Sequence, residues 1–230
     1  MFILGFGIPL AEQMDSGEVI FRKYTPEDLE RCASLAVQAW PMRGRSGPEL
    51  SEPSGFEAWI GSVGRSSPWT EVAVVSGNVV GFLFGSVDKL KPKGRPLDKL
   101  GDMFWMFGEF FSGNRHRWRI SIWTALSFLF SQFLLEVNRP DADADIDLLV
   151  VDADFRGKGI GKTLVDRFVK MAKDAGAHSV TLFTDDKISN YGFYEAYGFT
   201  KANSFYDGIS TYFAGERANA MYYVLDLDKI

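Results

Sequence analysis

Four aspartates stand at alternate positions in Asp141-Ala-Asp-Ala-Asp-Ile-Asp147, and the chain then turns wholly apolar through Leu148, Leu149, Val150 and Val151. Side chains of an extended strand repeat every two residues, so Asp143, Asp145 and Asp147 would line one face at spacings of roughly 6.6 Å. Clustered like charges raise one another's pKa and burial raises it further, which suits a proton acceptor and a face that attracts cations. An exposed polar lead-in to a strand accounts for the same alternation. A calcium loop fits less well: Asp141, Asp143 and Asp145 match its start, but its glycine position holds Ile146 and its twelfth position holds Asp152 instead of glutamate.

A second stretch with chemistry in it follows at once. Asp154-Phe-Arg156 leads into Gly157, Lys158, Gly159, Ile160, Gly161 and Lys162, and an amphipathic helix is expected from Lys162 to Lys173 with Leu164, Val165, Phe168, Val169 and Ala172 on one stripe. Strand, glycine loop and helix in this order aim unpaired backbone N–H groups and the positive end of a helix dipole at whatever lies before the loop. An anion fits there, and a pyrophosphate fits well. A nucleotide-triphosphate P-loop would need a glycine where Arg156 stands, and a dinucleotide fingerprint starting at Gly157 would need one at Lys162. Both patterns fail by one residue.

The elements that must hold these residues read as alternating strands and helices. Val19 to Tyr24 has the pattern of a strand, and Thr25-Pro-Glu-Asp28 supplies an N-cap, a first-turn proline and two acids for a helix reaching about Trp40. A region rich in Gly, Ser and Pro follows, with a short helix around Phe56 to Ile60. Glu71–Val75 and Val79–Val87 then flank a hairpin turn at Ser76-Gly-Asn78. Asp145 to Asp152 is the next strand, with Leu148 to Val151 buried on both faces, and Gly176 suits the end of the helix after the glycine loop. Ser179–Thr184 and Ala220–Leu227 are the remaining clear strands.

Residues 88–140 break this rhythm. They carry nine basic against five acidic side chains, and sixteen consecutive residues from Ile120 to Leu135 carry no charge, fewer than the roughly 20 that span a bilayer. The segment reads as a helical insertion docked on the main fold. A dimer-forming face is a second reading, and a membrane-surface helix carrying Arg115, Arg117, Trp118 and Arg119 is a third.

Composition bounds the partners. A chain of 230 residues that is 46% hydrophobic can bury a substantial core, and a net charge of −5 argues against a dedicated nucleic-acid binder, which needs a basic face. One cysteine, Cys32, and two histidines, His116 and His178, offer neither a disulfide nor metal-ligand spacing, so no metal is expected and a reducing cytoplasm fits. The apolar opening Met1 to Ala11 lacks a basic lead and reads as an arm packed on the domain.

Arg156-x-x-Gly159-x-Gly161 after a buried strand resembles the R/Q-x-x-G-x-G/A signature of the GNAT superfamily of N-acetyltransferases. Ser189-Asn-Tyr-Gly-Phe-Tyr-Glu-Ala-Tyr-Gly-Phe199 resembles that family's N...FY-x-x-x-GF element, with a short helix ended by Gly198 and Phe199 entering a strand. The similarity runs over about residues 145–227 by motif, and over 19–87 by order of elements.

The resemblance implies one mixed α/β domain over residues 1–230, with a mostly antiparallel central sheet flanked by helices and the 88–140 insertion between its third and fourth strands. It implies acetyl-CoA as co-substrate, bound by Leu149, Val150 and Val151 on the strand and by Arg156, Gly157, Lys158, Gly159, Ile160, Gly161 and Lys162 in the loop. In many members an asparagine seven residues before the tyrosine contacts the pantetheine arm. Lys187 occupies that place here, and Asn190, four before, is the candidate. A small-molecule or protein amine would be the acceptor, attacking directly in a ternary complex, and a homodimer is compatible. Tyr194 is the expected acid for the leaving thiolate, a backbone N–H near Val151 the polariser of the thioester, and Asp145, then Asp147, the base. A lysine-like amine has a pKa of roughly 10.4, so something must accept its proton. A phenol near 10 giving its proton to a thiolate near 8.5 is uphill by roughly 1.5 units, so the site must lower the phenol's pKa or rely on hydrogen bonding. A CoA-binding domain without turnover is the alternative.

Overall fold

The computed structural model describes residues 18–40, 53–90, 130, 131 and 133–230. The amino-terminal arm and most of the 88–140 insertion lie outside the described residues. The strands are Ile20–Lys23 (β1), Trp69–Val75 (β2), Asn78–Val87 (β3), Ala144–Val151 (β4), Ser179–Asp185 (β5), Thr200–Tyr206 (β6) and Asn219–Asp226 (β7). They form one seven-stranded sheet in the order β1-β2-β3-β4-β5-β7-β6. Only β4 and β5 run parallel; the other neighbours are antiparallel.

Local chemistry explains the first half. Ser76 and Gly77 take φ of 48° and 81°, both left-handed as a two-residue hairpin turn requires, and Asn78 already belongs to β3. Thr25 N–H donates to Asp28 Oδ2 at 2.9 Å, and Arg22 grips the same carboxylate at 2.6 Å. The chain therefore enters helix α1, Leu29–Ala39, through a single 3₁₀ turn at Pro26–Asp28. Helix α2, Pro53–Ser66, is far longer than the short helix expected around Phe56 to Ile60. Its glycines are contact points: a Cβ at Gly64 would lie 3.3 Å from the Phe84 ring, so the missing side chain lets α2 settle close to the sheet.

Helices α1 and α2 cover one face, packing Cys32, Leu35, Ala36, Phe56 and Ile60 on Val72, Val74, Phe82, Phe84, Leu148 and Val150. Helix α3, Ile160–Asp174, covers the other and buries the expected stripe of Leu164, Val165, Phe168, Val169 and Ala172. Against it lie Ala144, Ile146, Val180, Leu182 and Tyr223. Arg167 of α3 reaches buried Glu71 on β2 at 2.6 Å and fastens helix to sheet.

Strand β4 changes faces midway, since Ala144 and Ile146 join the α3 core whereas Leu148 and Val150 join the α1–α2 core. The register with β3 shows why: Ile146 pairs with Gly85 and Leu148 with Phe84, which leaves Asp147 as an extra residue. One inserted residue turns every later side chain to the opposite face. A Cβ at Gly85 would fall 2.5 Å from the Phe168 ring and 2.8 Å from the Asp145 carbonyl oxygen, so glycine is what this crossing admits.

Beyond β5, helix α4, Tyr191–Tyr197, ends at Gly198, whose N–H bonds the Tyr194 carbonyl at 3.1 Å. Helix α5, Gly208–Ala214, has no counterpart in the sequence reading. Buried Asp207 starts it by accepting from Ser210 N–H at 2.8 Å, and Ser131 Oγ donates to the other oxygen. Residues 133–138 are helical and dock on the face opposite α3, where Tyr222 Oη donates to the Leu135 carbonyl at 3.0 Å.

Candidate active site

The parallel pair β4–β5 opens into a fork. Pairing covers only Ala144↔Val180, Asp145↔Thr181 and Ile146↔Leu182, although the strands continue to Val151 and Asp185. Across β4 the antiparallel ladder with β3 persists to Val151, and Asp152 N–H donates to Val80 carbonyl at 2.9 Å. That bond fixes the phase. Residues 148, 150 and 152 exchange hydrogen bonds with β3, so the N–H and C=O groups of Leu149 and Val151 point into the fork. Arg156 Nε reaches one of them, donating to the Val151 carbonyl at 3.1 Å.

The glycine loop stands at the open end of this fork. Gly157 and Gly159 take φ of 74° and 82°, and a Cβ at either would meet nothing within 4 Å. Backbone conformation, not crowding, demands glycine there. Gly159 is the N-cap of α3, and its carbonyl accepts the first intrahelical bond from Thr163 N–H at 2.9 Å. Having no side chain, it cannot cap the N–H groups of Ile160, Gly161 and Lys162, which lack intrahelical acceptors and lie at the positive end of the helix. Asp152 holds the approach to the loop by accepting from Asp154 N–H at 3.0 Å and pairing with Arg31 at 2.6 Å. Lys158 rests 4.5 Å from the Phe155 ring, and Lys162 pairs with Asp166 at 2.7 Å. Open space over left-handed glycines beside uncapped donors fits a pyrophosphate.

Helix α4 closes on the same place. A Cβ at Gly161 would lie 3.5 Å from both the Phe193 ring and the Val151 side chain, so the start of α3, the end of β4 and α4 converge. Leu149, Val151, Phe193 and Tyr194 all pack on the α3-side core. Tyr194 is partly buried between Phe193 and Phe199, with ring centroids at 5.3 and 5.9 Å. Burial pushes its phenol up to about 12. Asn190 is exposed ahead of α4, where its carbonyl accepts from Phe193 N–H at 3.2 Å, and Lys187 pairs with Glu216 at 3.6 Å.

The row of aspartates separates into three jobs. Asp143 ties the start of β4 to β5 by accepting from His178 N–H at 2.7 Å. Asp145, partly buried on the face opposite α3, pairs with Arg139. Asp147, the bulge residue, is exposed and accepts from Ser67 Oγ at 2.8 Å. Ser67 follows α2, so this carboxylate is turned toward the same face as Asp145. Cys32 is fully buried, and burial raises its thiol to about 12, which leaves it inert. Sequence reasoning missed Ser67 and Arg139. Ser67 lies 80 positions from Asp147 and carries no local signal, whereas Arg139, a cation six residues before Asp145, was visible and unused.

The model of the acetyltransferase (GNAT) family matches residues 29–199 of this chain. The chain belongs to the GNAT acetyltransferase family. It is thus an acyltransferase, and acetyl-CoA is the co-substrate of its family. Among solved structures, it is similar to Ard1 from Thermoplasma volcanium, with a TM-score of 0.52 at 20% identity, covering 90% of this chain and 97% of that one. It is also similar to an agmatine N-acetyltransferase, with a TM-score of 0.57 at 16% identity over 92% of this chain and 100% of the other. The polyamine N-acetyltransferase of Drosophila melanogaster, which forms N-acetylagmatine, gives 0.53 at 15% identity over 91% of this GNAT chain and 100% of its own. At these identities the likeness establishes the shared mixed α/β fold. No helix among the described residues is long and apolar enough to cross a membrane, and none of their His, Cys, Asp and Glu side chains form a group that could hold a metal ion.

Proposed function

We propose that this chain transfers an acetyl group from acetyl-CoA to a primary amine by direct attack in a ternary complex at the β4–β5 fork. One observation carries the reading: the unpaired edge of Leu149 and Val151 runs straight toward the uncapped N-terminus of α3. When bound, acetyl-CoA supplies an acyl group activated as a thioester. Gly157 to Lys162 would hold the pyrophosphate through backbone N–H groups, with Arg156 shaping the loop and Lys158 and Lys162 adding positive charge. Leu149, Val150 and Val151 would offer a strand edge to the amide-bearing arm, with Asn190 at its flank. The Val151 N–H would polarise the thioester carbonyl.

Asp145 and Asp147 are the candidates for the base, Asp145 held by Arg139 and Asp147 by the Ser67 hydroxyl on the same face. Tyr194 would stabilise the leaving thiolate from its phenol O–H. Its surroundings raise the phenol's pKa, so hydrogen bonding to the thiolate is the route left to it. In the same reading residues 1–230 form one domain, 88–140 are inserted in it, and the lone buried Cys32 suits a reducing cytoplasm.

Calorimetric titration with acetyl-CoA, beside Mg-ATP and NAD, tests the reading. Binding of acetyl-CoA alone is expected, followed by thiol release with amines that Asp147→Asn slows without weakening acetyl-CoA binding. Acetyl-CoA binding with no thiol release from any amine would instead favour a CoA-binding domain without turnover. No binding would remove the proposal.

A further inference from the structure

We propose that Phe183, backed by the buried ring of Tyr222, forms the floor of an acceptor subsite that selects amines carried on an aromatic or branched apolar body, with Asp147 facing that floor across the fork. The inference rests on the acetyl-transfer reading of the fork. Register places the residues. The last parallel pair is Ile146↔Leu182, so Asp147 and Phe183 are the next positions on their strands, one on each side of the opening. Val180 and Leu182 pack toward α3, which turns Phe183 to the opposite face, and Ser67 holds Asp147 on that face too.

Exposure marks Phe183 out. It lies on β5, which has β4 on one side and β7 on the other, yet it is 43% exposed. Large apolar side chains on interior strands are ordinarily covered, so among the described residues the Phe183 ring stands out as a surface open to a ligand. Tyr222, its register partner on β7, meets it edge-on at 5.8 Å, and Phe205 lies 6.3 Å beyond. The Tyr222 phenol is tied to the Leu135 carbonyl and the ring is buried, so it is a fixed backing that holds Phe183 in place.

Charge fixes the reacting end and the ring fixes the body. Asp147 offers one carboxylate at the reacting end, and the floor behind it offers an aromatic surface. Arg139 lies close enough to Tyr222 and Asp145 to interact with both electrostatically, but it is paired with Asp145 and also has Glu136 and Asp88 within electrostatic reach, so selection rests on the ring. A monoamine with an apolar body meets complementary groups at both ends, whereas a linear polyamine leaves the ring without an apolar partner.

Steady-state thiol release with 2-phenylethylamine, tryptamine, agmatine and spermidine tests the assignment on wild type, Phe183→Ala and Phe183→Tyr. The wild type is expected to prefer the two aromatic amines in kcat/KM. Loss of one ring contact should raise KM for 2-phenylethylamine about tenfold in Phe183→Ala, with kcat little changed, and Phe183→Tyr should restore it. A merely structural Phe183 would lower the melting temperature of Phe183→Ala and leave KM where it was, which overturns the proposal. Preference for agmatine or spermidine also overturns it while acetyl transfer stands. Acetyl-CoA binding without thiol release from any of these four amines overturns the aromatic subsite, whereas only the absence of release across a wide amine panel would overturn acetyl transfer as well.

Discussion

A phenol raised to about 12 keeps its proton throughout the range in which an enzyme of this kind is assayed. Tyr194 therefore contributes a proton donor of constant protonation state, and the pH dependence of the rate below the ordinary phenol range of about 10 must come from other groups. Tyr194→Phe is expected to lower kcat by about a hundredfold, the low end for removing one hydrogen-bond donor to a developing anion, while acetyl-CoA affinity stays within about twofold. The shape of its pH–rate profile should match the wild type. Loss of a basic limb in the variant would show that the phenol titrates in the active range, and an unchanged kcat would leave the ring a packing role against Phe193 and Phe199. Tyr194, Arg156 and the loop glycines were legible because their chemistry is written in short local spacings. The separate roles of Asp143, Asp145 and Asp147 were not, because partners at Ser67, Arg139 and His178 assign them, and no periodicity carries such contacts.

The bulge in β4 decides which side chains meet the fork, and Gly85 is the position on which it depends. Sequence alternation in Asp141 to Asp147 continues in phase straight through the bulge, so reading the pattern alone gives no warning that the faces exchange after it. Helix α3 was legible for the opposite reason, its five buried apolar residues lying on one stripe of a single regular helix. Helix α2 was read too short because its glycines resemble loop punctuation, while in the fold they admit Phe84. Gly85→Ala should destabilise the protein by about 1–3 kcal/mol, the cost of an overpacked core, because the added methyl meets both an aromatic ring and a backbone carbonyl. Urea unfolding checks this through a lower midpoint at unchanged slope. A variant as stable as wild type would mean that α3 and β4 do not cross β3 as closely as the register requires.

Across the whole molecule, the sheet consists of two antiparallel halves, β1 to β4 and β5 to β6, joined by three parallel pairs and bridged by α3, which packs on strands of both. A ligand seated in the fork would complete hydrogen bonds on the facing edges of the two halves and so brace one against the other. The stabilisation follows mass action, about 2.7 kcal/mol at a hundredfold excess over the dissociation constant. Its location can be resolved residue by residue because strand groups alternate. Leu148 and Val150 donate their amides to β3 in the free protein, whereas those of Leu149 and Val151 point into the fork, as do the uncapped amides of Ile160, Gly161 and Lys162 at its mouth. Amide hydrogen exchange with and without acetyl-CoA should therefore slow at residues 149, 151 and 160–162, with far smaller changes at 148 and 150. Uniform slowing of all four strand amides would indicate global stabilisation by a ligand bound elsewhere. Slowing at 160–162 alone would leave the phosphate cradle in place but detach the strand edge from it, and the position of the reacting carbonyl beside Val151 would fall with that edge.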